Sequence, residues 1–254
     1  MTAPRALNAT AASACGPTRT RNEDIAIIGA RTVRNDAAIE TWDSAAASRP
    51  FVAAVLDGLG GHQGGDEASA RVAARLMHVV GRWSLDCVAA ECIAGLTETL
   101  NDARRELDEV GAFSPELDGM GTTCTALVVT ESAFLLLHVG DTRCYRRRDG
   151  VWKQLTVDHS VTYPDGSGEQ SAGLTHAVGA DILELPAELV MDLSDKCFPG
   201  DVFVLITDGV LNATASDAAL EAALDASDAQ GIIDAALVNG GPDNATAVRL
   251  EILE

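Results

Sequence analysis

Apolar positions recur along the chain with two periods. Short β-prone runs stand at Ile25–Gly29, Phe51–Leu56, Thr123–Thr130, Phe134–Val139, Arg143–Arg148, Leu189–Leu193, Val202–Ile206 and Ala245–Leu253. In the last, Val248, Leu250 and Ile252 alternate with Arg249 and Glu251, the period-two signature of a half-buried strand. A helical period governs two longer stretches. Ala68, Val72, Leu76, Val79 and Trp83 form the first, with Asp66 placed to cap it; Val88, Cys92, Leu96, Leu100 and Leu107 trace the second, from about Asp86 to Val110. Shorter helices are predicted at Ser216–Leu224 and Ala229–Val238. Turns such as Arg148-Asp149-Gly150 suit antiparallel pairing. The expected class is therefore α+β, an α-β-β-α sandwich of two antiparallel sheets flanked by helices. Between Thr156 and Pro186 the pattern dissolves into Gly, Ser, Asp and Pro, as expected for a mobile flap. Residues 1–15, rich in Ala, Thr and Ser, are expected to be a mobile N-terminal tail, with one domain over 16–254.

Composition narrows the function. Of 254 residues, 47% are hydrophobic and 22% charged, with mean hydropathy +0.10, so the chain can bury a core and is not disordered. Its net charge of −20 excludes binding to a nucleic-acid backbone and to an anionic membrane surface. A protein this acidic that handles phosphates needs borrowed positive charge, most simply a metal ion. No apolar run approaches the roughly 18–20 residues of a membrane span. Ala12-Ser13-Ala14-Cys15 lacks the apolar stretch of a signal peptide before it, so a cytoplasmic location is expected. The six cysteines form no Cys-x-x-Cys pair, which points to reduced, mostly buried thiols rather than a zinc site.

The chemistry lies in acidic turns. Phe51–Leu56 and Val202–Ile206 are apolar throughout, and shortly after each comes an Asp-Gly pair, Asp57-Gly58 and Asp208-Gly209. Asn22-Glu23-Asp24 precedes the first of the strand runs, Asp243-Asn244 precedes the last, and Gly140-Asp141 stands at a tip between two strands. Singly, each is an ordinary turn. Together, and without a histidine or cysteine cluster, they suit all-oxygen ligation of hard ions, Mg2+ or Mn2+ rather than Zn2+.

An ordered set of motifs includes these turns: Gly16-x-x-Arg19-x-x-Asn22-Glu23-Asp24, then Asp57-Gly58-Leu59-Gly60-Gly61-His62-x-x-Gly65-x-x-Ala68-Ser69, then Gly121-Thr122-Thr123, Val139-Gly140-Asp141-Thr142-Arg143, Thr156-x-Asp158-His159-Ser160, Thr207-Asp208-Gly209 and Asp243-Asn244-Ala245-Thr246. From Gly16 to the C-terminus the chain resembles the bacterial branch of the PPM, or type 2C, metal-dependent protein serine/threonine phosphatases. The resemblance implies a centre of two Mn2+ or Mg2+ ions with a third, weaker site. It implies that Asp57 bridges the two metals, the Gly58 carbonyl binds one, and Asp208 and Asp243 bind the other. Glu23 and Asp24 would hold metal-bound water, directly or from behind; Asp141, with Asp208, would form the third site, and Arg19 would grip the substrate phosphate. A hydroxide bridging the metals would then hydrolyse phosphoserine and phosphothreonine without a covalent intermediate.

The implied partners are phosphorylated proteins and a cognate serine/threonine kinase whose action is reversed, with no nucleic acid, no membrane and a monomeric state. Two departures stand out: Leu59 replaces the histidine of many eukaryotic relatives, leaving the general acid unassigned, and His176 stands where the flap of relatives has arginine. The competing readings are a phosphatase-like module that binds phosphoprotein partners with little turnover, and a phosphatase of small phosphorylated metabolites.

Overall fold

The computed structural model describes residues 3–59, 64–164, 170–182, 185–186, 188–238 and 240–253. The first half of the chain forms β1 (Ala6–Ala14), β2 (Ile25–Ile28), β3 (Arg31–Val33), β4 (Asp36–Asp43), β5 (Phe51–Leu56), β6 (Gly58–Leu59), α1 (Gly65–Val80), α2 (Ala89–Phe113), β7 (Gly121–Thr122) and β8 (Cys124–Val129). The second half forms β9 (Phe134–Val139), β10 (Arg143–Arg148), β11 (Val151–Gln154), β12 (Ser160–Pro164), β13 (Gln170–Leu174), β14 (Val178–Gly179), β15 (Val190–Asp192), β16 (Val202–Ile206), α3 (Asp208–Asn212), α4 (Asp217–Leu224), α5 (Ala229–Val238) and β17 (Ala245–Ile252).

Two six-stranded antiparallel sheets stack face to face, one ordered β11-β10-β16-β17-β1-β4 and the other β15-β9-β8-β5-β2-β3. Strand alternation sorts the apolar side chains into three layers. Leu7, Ile28, Val55, Phe134, Phe203 and Leu250 fill the space between the sheets, where the rings of Phe134 and Phe203 meet edge to face at 5.0 Å. The opposite face of the second sheet, with Ile27, Leu56 and Leu137, packs against Val72 and Leu76 of α1 and Leu96 and Leu100 of α2. That of the first sheet, with Val204 and Ile206, packs against Leu220 of α4 and Ile232 and Ile233 of α5. The result is the expected α-β-β-α sandwich. No helix among the described residues is long and apolar enough to cross a membrane.

The expectation of a mobile tail over residues 1–15 is overturned. β1 lies inside the first sheet, paired with β17 along Leu7–Ala14 and with β4 along Ala6–Ser13. Leu7, Ala9 and Ala11 face the other sheet, and Thr10 accepts a hydrogen bond from the Ala229 amide at the start of α5, at 2.9 Å. Alanine has little β preference of its own, so pairing on both sides makes this a strand. The Asp149-Gly150 turn behaves as read: both residues have positive φ, 51° and 79°, and join β10 to β11 as a two-residue hairpin. Asp66 does not cap α1. The residue before the helix is Gly64, and the Asp66 carboxylate instead accepts from the Glu67 amide. The stretch read as a patternless flap contains the β12–β13 hairpin, and β14 beyond it pairs with β7.

Candidate functional site

Strands β5 and β16, each buried along its whole length, belong to different sheets and lead to aspartates at one end of the sandwich. Asp57 follows β5 directly, and Asp208 opens α3 after a single intervening residue, Thr207. Glycines let the surrounding turns close on each other. A Cβ on Gly209 would overlap the Asn244 carbonyl oxygen, and one on Gly58 would overlap the Gly65 carbonyl. The start of α3 therefore lies against the 243–244 turn, and β6 lies against the start of α1.

Buried polar side chains fix each acidic turn. Asp57 donates its amide to Thr123 Oγ1 at 2.9 Å, and its carbonyl accepts from the Thr123 amide and from Thr122 Oγ1, each at 2.9 Å. The Asn22 side chain accepts from the Asp24 amide at 3.1 Å and donates to Ser13 Oγ and Asn35 Oδ1, each at 2.9 Å. Asn244 ties this turn to the 243–244 turn: its Oδ1 accepts from the Glu23 amide at 2.9 Å, and its Nδ2 donates to the Arg21 carbonyl at 3.0 Å. From the other side, Ser69 Oγ donates to the Glu23 carbonyl at 2.6 Å and Arg34 Nε to the Asp24 carbonyl at 2.9 Å. Thr207 Oγ1 donates to Asp24 Oδ2 at 2.8 Å, and Asp24 is only 1% exposed. Asp24 thus sits beneath the cluster while Glu23 is half-buried at its margin.

Burial first, and then mutual repulsion, favours the protonated forms of these carboxylates. Burial pushes Asp24 up to about 7, with Asp208 and Asp243 adding repulsion against its hydrogen bonds from Thr207 and Thr246. Burial, with repulsion from Asp24, Asp208 and Asp141, raises Asp57 well above the usual carboxylate range. Asp208 is raised by burial and by Asp243, and shares a hydrogen bond with Asp57. Asp141 is pushed up to about 6, again by burial and then by Asp208. Glu23 is raised by burial and by Asp66. Desolvated anions facing one another are unstable without cations between them. Their oxygen-only donor set fits hard divalent ions. Among the described residues no three Asp, Glu, His or Cys side chains close on a single point as ready-formed ligands.

Arg19 brings positive charge to the margin of the cluster. Arg19 Nη2 donates to Asp243 Oδ2 at 2.6 Å, in a turn that the Arg19 amide closes onto the Gly16 carbonyl at 3.0 Å. The arginine is half exposed and raised in pKa by that hydrogen bond. Behind Asp141, the His138 and His159 rings stack at 4.7 Å and His176 meets His159 edge-on at 5.0 Å. Burial drives His138 down to about 4, and His159 is lowered too. His159 Nδ1 accepts from the Gly140 amide at 3.1 Å, so this stack joins the base of the β12–β13 hairpin to the Asp141 loop.

Every expected site residue therefore gathers at this end of the fold. His62 and the Gly60–Gly61 pair lie outside the described residues. Sequence reasoning gave no role to Arg34, Ser69, Thr207 or Asn244. The last three stand inside the quoted motifs and could have been found there; nothing local marks Arg34.

Comparison with known proteins matches the chain to a family. The family model for protein phosphatase 2C matches residues 28–231, which includes Asp57, Gly58, Asp141 and Asp208 and leaves Arg19, Glu23, Asp24 and Asp243 outside. The serine/threonine protein phosphatase PstP of Mycobacterium tuberculosis is 28% identical over 251 residues, 94% of this chain; the chain spans only 44% of that protein's length. The serine/threonine phosphatase stp of Listeria innocua is 30% identical over 210 residues, covering 78% of this chain and 82% of its own. A crystal structure of the catalytic domain of PstP in complex with two manganese ions superposes with a TM-score of 0.72 at 26% identity, covering 98% of this chain and 99% of that one. With most of its length matched by the family model, the chain belongs to the protein phosphatase 2C family.

Proposed function

We propose that this chain is a metal-dependent protein serine/threonine phosphatase that acts on phosphorylated proteins and opposes a serine/threonine kinase. The observation that carries this reading is the meeting of Asp57 and Asp208, one from each sheet, in a desolvated carboxylate cluster with Arg19 at its margin. Asp57, the Gly58 carbonyl, Asp208 and Asp243 would hold two Mn2+ or Mg2+ ions, with Glu23 and Asp24 supporting them and Asp141 forming a weaker third site. Those ions would lower the pKa of water and offset the charge of a phosphate monoester, which a protein of net charge −20 otherwise repels. The manganese-bound relative supports manganese as the metal.

The chain's own residues orient and exclude. Thr207 and Asn22 hold the side chain and backbone of Asp24, and Thr122 and Thr123 clamp the backbone of Asp57. Arg19 offers a planar fork of donors matched to phosphoryl oxygens and would turn from Asp243 toward them. Cys92, Cys124, Cys144 and Cys197 are disfavoured as nucleophiles: burial pushes Cys124 and Cys197 up to about 12, and raises Cys92 and Cys144 as well.

The test is hydrolysis of a phosphothreonine peptide with Mn2+, then with excess chelator, beside sugar phosphates. Turnover of the peptide that stops with chelator is the expected result. Full turnover in chelator would overturn the metal, and preference for sugar phosphates would overturn the substrate class.

A further inference from the structure

Two thiols that the acidic site does not use stand at the start of α2, Cys87 just before the helix and Cys92 within it. α2 begins after Val88, whose backbone is extended at φ −82° and ψ 154° and whose side chain makes no capping hydrogen bond. Counted from that residue, Cys87 is the position just before the cap and Cys92 the fourth helical position. These are the two positions that a hydrophobic staple brings into contact, and here both carry sulfur. The Sγ atoms lie 2.9 Å apart. A disulfide needs about 2.05 Å, so closure asks for less than about 1 Å of movement.

The backbone holds the pair in place. Thr130 Oγ1 and Ser132 Oγ donate to the Cys87 carbonyl at 3.0 and 2.8 Å, and the Glu131 amide donates to the Leu85 carbonyl at 2.8 Å. The turn before α2 is thereby fastened to the loop joining β8 to β9. The Cys92 amide donates to the Val88 carbonyl at 3.1 Å. Cys92 is fully buried in the layer between α2 and the sheet, whereas Cys87 is half-buried. One thiol of the pair meets solvent and its partner stands directly behind it.

We propose that Cys87 and Cys92 are an oxidative modification site, in which hydrogen peroxide oxidises Cys87 and Cys92 closes on it to form a reversible intramolecular disulfide. In the first step the Cys87 sulfur displaces one oxygen of the peroxide, giving a sulfenic acid and one water. In the second, the Cys92 sulfur attacks the Cys87 sulfur; the S–O bond breaks, the S–S bond forms, and the Cys92 proton leaves with the hydroxyl as a second water. Two thiols lose two electrons in all and one peroxide gains them. Burial, then the hydrogen bond with Cys87, keeps the Cys92 thiol protonated, which places oxidation at Cys87 first.

The site is remote from the carboxylates. β8 starts beside Thr123, which clamps Asp57, and ends at the loop that fastens Cys87, about 20 Å along the strand for its six residues. Closure therefore links the approach to α2 covalently and leaves the acidic site unchanged.

The experiment treats the full chain with hydrogen peroxide, blocks free thiols with iodoacetamide, and reads peptide masses without reduction. The expected product joins Cys87 to Cys92, is two hydrogens lighter than the dithiol, and disappears with dithiothreitol; the oxidised protein melts higher than the reduced one. In Cys92→Ser, Cys87 should accumulate as a sulfenic acid that dimedone captures. Recovery of both residues as alkylated thiols, conversion of Cys87 to sulfinic acid beside a free Cys92, or a disulfide to any other cysteine would each overturn the proposal. The wild-type masses decide even if the variant does not fold.

Discussion

Arg19 and Asp243 form an ion pair at 2.6 Å, joining the residue expected to grip phosphate to a residue expected to grip metal. Each side chain has a competing use, because Asp243 cannot give full charge to a cation while holding the guanidinium. The pair satisfies both groups, and Arg19 would be available to a phosphate if Asp243 were drawn to a cation.

Arg19→Ala should lower kcat/KM on a phosphothreonine peptide while Mn2+ binds at least as tightly, since Asp243 is released. Loss of a charge-assisted hydrogen bond costs roughly 1.5–3 kcal/mol, or about ten- to a hundredfold. Lysine should restore only part, because a point charge lacks the bidentate fork. Steady-state kinetics and a calorimetric Mn2+ titration check this; wild-type kinetics in the alanine variant would remove Arg19 from phosphate binding.

Asp57→Asn and Asp208→Asn should each reduce turnover by orders of magnitude while the metal-free protein melts at a higher temperature than wild type. Each change removes one of several mutually repelling desolvated anions. Thermal melts in chelator, beside peptide hydrolysis in Mn2+, read the two effects separately. A variant that kept most of its activity would displace that aspartate from the proposed centre.

The metal-free protein should lose stability as pH rises from about 4 to about 7. Asp24 and Asp141 have folded pKa values of about 7 and about 6 against an ordinary 3.8, so the folded state binds more protons than the unfolded state across that window. Saturating Mn2+ should shrink or reverse the fall. His138 acts oppositely: its folded value of about 4 lies below the ordinary 6.5, so its contribution is present above 6.5 and lost as pH falls toward 4. Melts across pH in chelator for wild type and His138→Gln should separate the two, the variant showing the steeper fall with rising pH.

Gly209→Ala should destabilise the fold by about 1–3 kcal/mol or more, since its Cβ meets the Asn244 carbonyl rather than a side chain that can move aside. The urea midpoint measures this. An unchanged midpoint would mean that α3 can move away from the 243–244 turn at no cost.

A chain beginning at Gly16 should fail to fold. Removing β1 unpairs β4 and β17 and opens the core at Leu7, Ala9 and Ala11, a loss larger than the roughly 5–15 kcal/mol by which domains of this kind are stable. Circular dichroism of the truncated chain reads the outcome, and a cooperative melt near that of the full chain would return residues 1–15 to the status of a tail.

The sequence by itself determined the strands and helices whose own side chains announce them. Phe51–Leu56, Phe134–Val139, Arg143–Arg148 and Val202–Ile206 fall on their observed limits, and the four longer helices lie within a few residues of theirs. It also marked the acidic turns on which the proposed chemistry rests, because aspartate followed by glycine after an apolar strand is a local signal. Only the tertiary structure decided what depends on partners distant in the chain. β1 is a strand because β17 and β4 flank it, and alanine alone carries too little preference to say so. Asp24 is raised because the assembled fold buries it and brings Asp208 and Asp243 near, against the hydrogen bond from Thr207 of the other sheet, and Arg34 matters because β3 leads it under the acidic turn. The charge state of a carboxylate is set by the solvent it loses and the charges it faces, and both are properties of the assembled fold.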